Sequence, residues 1–173
     1  MRYDEITRWL SAQQRWAWTA PLWTREQVIA EKDGKIYTVK DLQAPMHGIT
    51  RLGCGGFENG RYKWLGYDFD VGAGHGSRPF NTQLEALLNA RKLRHSLSHL
   101  QTLLATSSRG KGIHLFALVD GLDLKTRADV KNFNAYFIPS DVYPDQAPLT
   151  AQRFFLFNRN CTEANLRIGE DDV

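Results

Sequence analysis

Two short stretches of the chain carry residue types that do chemistry on phosphates. The first is Trp64-Leu65-Gly66-Tyr67-Asp68-Phe69-Asp70-Val71, an apolar run broken by two aspartates. Side chains at i and i+2 of a strand share a face. Two carboxylates on one face can hold a hard divalent cation beside phosphates. Unpaired inside an apolar run, they are costly to bury, and a metal or a basic partner removes that cost. The second stretch is Ser107-Ser108-Arg109-Gly110-Lys111-Gly112-Ile113-His114. It reads as a turn feeding a strand. Its two glycines let backbone N–H groups face one concavity, which suits an anion. Arg109 and Lys111 add fixed positive charge, a combination suited to a polyphosphate.

Each stretch also has an ordinary reading. A lone D-x-D is most often a loop or cap pair, a Gly-Lys-Gly turn is most often a hairpin connection, and one histidine on an apolar strand is most often a hydrogen-bonded core residue. Their order along the chain shifts the weight toward function. An aspartate strand, a helix and then a basic glycine turn ending in His114 build one face, with the carboxylates for Mg²⁺ or Mn²⁺ and the turn for a triphosphate.

The elements that must position these residues follow from periodicity and punctuation. Residues 3–14 carry Ile6, Trp9 and Leu10 at helical spacing. An aromatic connector, Trp16 to Trp23, follows and is broken by Pro21. Thr24-Arg25-Glu26-Gln27 fits a capping box, so a helix is expected to about Glu31. Asp33-Gly34 marks a turn, and Lys35 to Val39 alternates as a strand. The glycine-rich span from Gly48 to Gly60 is expected to hold a strand near Ile49–Leu52. After a loop at 71–79, Asn81 is expected to cap a helix with Leu84, Leu87 and Leu88 as its apolar stripe and with Arg91, Lys92, Arg94 and His95 near its end. Leu100–Ala105 is a second apolar run. Ile113 to Val119 is apolar on both faces and so belongs at the centre of a covered sheet, ended by Asp120-Gly121. Residues 124–131 look helical, Tyr136–Ile138 looks like a strand stopped by Pro139, and Arg153–Phe157 looks like another. The acidic tail reads as frayed.

The 173 residues suffice for one domain with a substantial core. Hydrophobic residues at 42% and charged residues at 24% describe an ordinary globular chain, and no run approaches a membrane span. The N-terminus lacks the apolar core of a signal peptide. Cys54 and Cys161 have no metal-type spacing and read as free thiols of a reducing cytosol, with one disulfide as the alternative. A net charge of +3 permits nucleic-acid binding without arguing for it. Most of the aromatic residues are expected in the core, and a few could stack on bases.

Tyr67-Asp68-Phe69-Asp70 resembles the first motif of the archaeo-eukaryotic primase superfamily, an apolar strand ending in D-x-D or D-x-E. Ser107 to His114 resembles its second motif, roughly S-x-G-x-G-x-H followed by an apolar strand. The hydroxyl, both glycines and the histidine match, and the intervening helix and motif separation fit the primase-polymerases of phages, plasmids and mobile elements. The resemblance covers about residues 48 to 120.

The resemblance implies an α+β fold, a mixed or antiparallel sheet with helices packed on it around an RNA-recognition-like core. It implies one catalytic domain, with an extension at 1–45, a core at 46–160 and a tail at 161–173. The implied reaction is primer synthesis or extension on single-stranded DNA, by attack of a 3′-hydroxyl on the α-phosphate of a nucleoside triphosphate. Asp68, Asp70 and a later aspartate would hold two Mg²⁺ or Mn²⁺ ions. Asp145 is the preferred third carboxylate, with Asp141 and Asp120 as alternatives. Ser107, Ser108, Arg109, Gly110, Lys111, Gly112 and His114 would bind the triphosphate, His114 as a phosphate contact rather than a base. Template contacts would go mostly to phosphates, with Arg78, Arg91, Lys92 and Arg94 as candidates. Trp16, Trp18 and Trp23 are candidates for base stacking, although core packing is the commoner fate. A helicase domain or another replication protein is the expected protein partner. Rival readings are a metal-dependent nuclease, a non-catalytic nucleotide or single-stranded DNA binding module, and an α/β domain whose motif matches are accidental.

Overall fold

The computed structural model describes residues 22–24, 28–38, 49–72, 79–107, 111–144 and 154–158. The expected helix at 3–14, Trp16, Trp18, Arg78, Asp145, Cys161 and the acidic tail lie outside them. The described residues form an α+β structure of antiparallel sheets and helices.

Asp33 and Gly34 have φ of 53° and 74°, two consecutive left-handed residues. That geometry matches the twist of a tight hairpin, and it joins β1 (Val28–Lys32) to β2 (Lys35–Thr38). With β3 (Ile49–Gly55) and a late strand at Phe154–Asn158, they form a four-stranded antiparallel sheet in which β3 lies between β1 and the late strand. Within the expected N-terminal extension, the hairpin of residues 28–38 is built into the sheet that contains β3. The helix expected from Thr24 to Glu31 is instead β1 over its second half. The buried hydroxyl of Thr24 donates to the Gly55 carbonyl at 3.0 Å, tying the approach to β1 to the end of β3. Pairing on both edges of β1 outweighs the local capping pattern.

A second tight turn, at Asn59-Gly60, joins the two-residue strands β4 (Phe57–Glu58) and β5 (Arg61–Tyr62). The chain then enters β6 (Trp64–Phe69), crosses as helix α1 (Gln83–Ser96), and returns through the hairpin of β7 (Thr102–Thr106) and β8 (Ile113–Leu118). These strands form an antiparallel sheet in the order β6-β8-β7. β8 is central and all but its last residue are buried, as its unbroken apolar pattern requires. The late strand is β9 (Phe154–Asn158), where the sequence placed one.

Two helical expectations change. Thr82, not Asn81, caps α1, accepting from the Glu85 N–H. Its buried face is Ala86, Leu87, Ala90 and Leu93, whereas Leu84 and Leu88 are exposed. The small alanines let the helix lie close on the sheet, which three leucines in a stripe would not. Tyr136 and Phe137 are no strand. They close helix α2 (Arg127–Phe137), and Ile138 is its C-cap. A reciprocal Thr126–Asp129 capping box starts this helix, and Val130 and Phe133 at i and i+3 bury its apolar side.

Strand register divides the second sheet into two faces. Trp64, Gly66 and Asp68 lie opposite Leu118, Phe116 and His114, while Leu65, Tyr67 and Phe69 lie opposite Ala117, Leu115 and Ile113. Both helices cover the second set. The Tyr67 hydroxyl donates to Asn134 Oδ1 of α2 at 2.7 Å. Arg94 of α1 donates to the hydroxyl of Thr102, which lies across from Ala117. Asp68 and His114 therefore share the face turned away from the helices. Among the described residues no helix is long and apolar enough to cross a membrane.

Candidate functional site

Residues from the two motifs meet in one cross-strand pair. Asp68 sits opposite His114 in the β6–β8 register, and His114 Nε2 is 3.3 Å from Asp68 Oδ1. Directly opposed residues of an antiparallel pair hold their Cβ atoms about 5 Å apart, so side-chain contact follows from the register itself. His114 is 6% exposed. The ring of Phe116 stands edge-on to it at 5.9 Å, and Ala105 of β7 flanks it on the other side. Burial of this kind excludes water and strengthens any electrostatic contact made there.

Although the pair is within ionic reach, it is not aligned as a hydrogen bond. Asp68 Oδ1 is buried and has no hydrogen-bond partner among the described residues. A buried carboxylate oxygen left in this state is costly. A divalent cation is the ligand whose chemistry removes that cost most directly, since Mg²⁺ and Mn²⁺ favour carboxylate oxygens. The donor set fits such an ion in type. Among the described residues no three His, Cys, Asp or Glu side chains come together.

Asp70 lies one residue beyond the end of β6. Its carbonyl accepts the Phe80 N–H at 2.8 Å, and Gly72, at φ 99°, donates to the Phe80 carbonyl. Val71 and Phe80 form an isolated parallel bridge. The chain following the second aspartate is thus tied to the approach to α1, half-burying Asp70 beside the pair.

The second motif is a hairpin connection between β7 and β8, as its ordinary reading expects. Ser107 N–H donates to the Gly112 carbonyl, and Gly112 N–H donates to Ser107 Oγ, each at 2.9 Å. The Gly112 N–H therefore closes the turn on itself. Lys111 is exposed and Gly112 is buried. Ser108, Arg109 and Gly110 lie outside the described residues. A Cβ on Gly112 would stand 2.8 Å from the Phe69 carbonyl oxygen, so the turn rests on the backbone between the two aspartates. This closure was not anticipated from sequence, although a hydroxyl residue opening a turn that glycine ends is a usable signal.

Two alternatives for a third carboxylate are engaged elsewhere. Asp120 follows the far end of β8 from His114 and pairs with Arg61 at 2.8 Å. Asp141 pairs with Lys92 of α1 at 2.8 Å, which holds its carboxyl below the usual range. The Asp141 carbonyl accepts from Asn89, whose Oδ1 takes the Tyr143 N–H. Asp141 is thus held by the helical layer, whereas Asp68 faces away from it. Asp145 lies outside the described residues.

Of the template candidates, Lys92 is in that ion pair and Arg94 is bonded to Thr102. Arg91 has a buried Nη2 with no hydrogen-bond partner among the described residues. Trp23 is a core residue, 1% exposed, so its expected commoner fate is the observed one. Cys54 is a buried free thiol.

No protein-family model, curated protein or solved structure matches this chain.

Proposed function

We propose that the chain is a metal-dependent nucleotidyltransferase of the primase-polymerase type, which synthesises or extends primers on single-stranded DNA from nucleoside triphosphates. The observation that carries this reading is the contact between half-buried Asp68 and buried His114, one residue from each motif, side by side on neighbouring strands. An arrangement with both helices on one face of the sheet and the polar pair on the other supports it.

In this reading Asp68 and Asp70 hold Mg²⁺ or Mn²⁺, with Asp145 as the proposed third ligand. A divalent ion held there would supply Lewis-acid stabilisation of the phosphate charge and lower the pKa of a nearby 3′-hydroxyl. Asp68 lies against the imidazole of His114 across the strand, and His114 is the proposed phosphate contact. Lys111, together with Arg109, supplies positive charge to the triphosphate. Phe116 and Ala105 keep water away from His114. The RNA-recognition-like core, the helicase or replication partner and a cytoplasmic setting belong to the same proposal.

A second reading is a module that binds nucleotide or single-stranded DNA without turning it over. The engagement of both Asp120 and Asp141 in other ion pairs favours it, because it leaves Asp145 alone to complete the site.

The test is primer synthesis and extension on single-stranded DNA with Mn²⁺ or Mg²⁺, comparing wild type with the Asp68→Ala/Asp70→Ala variant. Product from wild type alone supports the polymerase. Metal-dependent nucleotide binding without product, lost in the variant, supports the binding module. Neither product nor binding sinks both readings, and cleavage without nucleotides identifies a nuclease.

A further inference from the structure

We infer that Ser107 and Gly112 form a clasp that positions the aspartate strand, so that these two residues set metal affinity rather than triphosphate affinity. The inference deepens the proposed function and rests on Asp68 and Asp70 being metal ligands.

Three observations converge on the clasp. Ser107 and Gly112 exchange two hydrogen bonds, one through the serine hydroxyl, and so close the turn at its base. Gly112 is buried against the Phe69 carbonyl, with room for a hydrogen but not for a Cβ, which would lie at 2.8 Å. Phe69 itself pairs with Ile113, the residue that follows Gly112. The base of the turn is thus fixed to the one residue that separates the two carboxylates.

The required glycine is a matter of close approach rather than of backbone conformation, since Gly112 is not among the positive-φ glycines. Carbon–oxygen contacts normally settle at about 3.3 Å or more. A side chain at 112 therefore forces the Phe69 carbonyl or the turn to move by roughly half an ångström, beyond the ~0.2 Å tolerance of a metal site. The Phe69 carbonyl belongs to the peptide that leads into Asp70, so its displacement re-aims that carboxylate relative to Asp68. Ser107 acts at the same place. Its oxygen already accepts the Gly112 N–H, and that bond holds the glycine against Phe69.

The experiment is calorimetric titration of the full chain with Mn²⁺ alone, without nucleotide, followed by nucleotide KM at saturating Mn²⁺. Ser107→Ala and Gly112→Ala are expected to weaken Mn²⁺ binding by about 10-fold or more, the scale of lost supporting interactions around a metal. Ser107→Thr keeps the acceptor and is expected to restore binding to near wild type. Nucleotide KM at saturating Mn²⁺ should stay unchanged in Ser107→Ala. Should Gly112→Ala fail to fold, as judged by circular dichroism without metal, the Ser107 pair decides the matter. The inference is overturned if Ser107→Ala binds Mn²⁺ like wild type while its nucleotide KM rises, because the hydroxyl is then a triphosphate contact. It is overturned equally if Ser107→Thr binds as weakly as Ser107→Ala. Absence of Mn²⁺ binding by wild type removes the metal site itself, an outcome distinct from failure of the clasp alone.

Discussion

The two ends of one sheet face differ in how their polar atoms are treated. At one end, Trp64 is fully buried and its indole N–H donates to the Leu22 carbonyl at 2.7 Å. Its ring meets Phe116 edge-on at 5.2 Å, and Gly56 packs so closely that a Cβ there would lie 2.3 Å from the Trp64 carbonyl. The same Leu22 carbonyl accepts the Cys54 thiol. At the other end, four residues along β6, Asp68 has a buried oxygen with no hydrogen-bond partner among the described residues, facing a buried histidine. Both ends use the same two strands and the same register. The first end is complete as a structure. The second leaves one carboxylate oxygen with an ion-pair partner at 3.3 Å but no hydrogen bond among the described residues, and a buried polar atom in that state calls for an explanation.

The sharpest way to break this contrast is to exchange one residue at each end. Trp64→Ala is expected to destabilise the fold by about 3–5 kcal/mol, the range for emptying a buried aromatic site, seen as a large drop in the urea midpoint. Asp68→Asn should leave the urea midpoint at or above wild type while abolishing primer extension, since it removes a poorly compensated buried charge and a metal ligand together. A loss of about 3–5 kcal/mol in Asp68→Asn, the cost of breaking a structural buried ion pair, would make the two ends alike and return the Asp68–His114 pair to a packing role.

A smaller effect comes from the thiol at the complete end. Burial pushes the Cys54 thiol from 9.0 up to about 12. In the unfolded chain the thiol ionises above its ordinary value, while the folded chain keeps its proton. The unfolded state then binds fewer protons, so stability falls as pH rises from 9 toward 12, by at most ~1.4 kcal/mol per unit from this group. Below pH 9 the contribution is constant. Burial also raises the Tyr67 hydroxyl, which acts in the same sense at higher pH. Urea melts at pH 8 and pH 10.5 should show a smaller decline in Cys54→Ala than in wild type, and equal declines would refute the assignment.

The smallest effect is expected at the exposed Arg61–Asp120 pair. Asp120→Asn should change stability by less than about 1 kcal/mol, as exposed ion pairs do, and leave primer extension intact. A strong loss of activity with normal folding would show that Asp120, and not Asp145, completes the metal set.

Much of the second sheet was legible in the sequence. The apolar run of β8 specified a central strand, and the apolar run broken by Asp68 and Asp70 specified β6. The hairpin residues Asp33 and Gly34 specified their own turn. Expectations based on short local patterns fared worse. The capping pattern at Thr24 yielded to strand pairing, because residues 29–31 pair on both edges with β2 and β3. The aromatic run Tyr136–Phe137 looked like a strand, yet a capping box ten residues earlier had already committed the segment to a helix. In α1 the three leucines drew attention from the alanines that face the sheet.

The candidate site divides in the same way. Residue types and order alone suggested Asp68, Asp70, the Ser107 turn and His114 as one set, and of these the structure brings Asp68 and His114 into direct contact. Tertiary structure decided the rest. It placed Asp68 directly opposite His114, turned that pair away from the helices, and spent the Gly112 N–H on Ser107. It also engaged Asp120 and Asp141 with cations of their own. The physical reason is range. Side-chain chemistry and strand alternation are properties of a few neighbouring residues, whereas register, face and the competition for each hydrogen bond depend on partners that only the folded chain brings within reach.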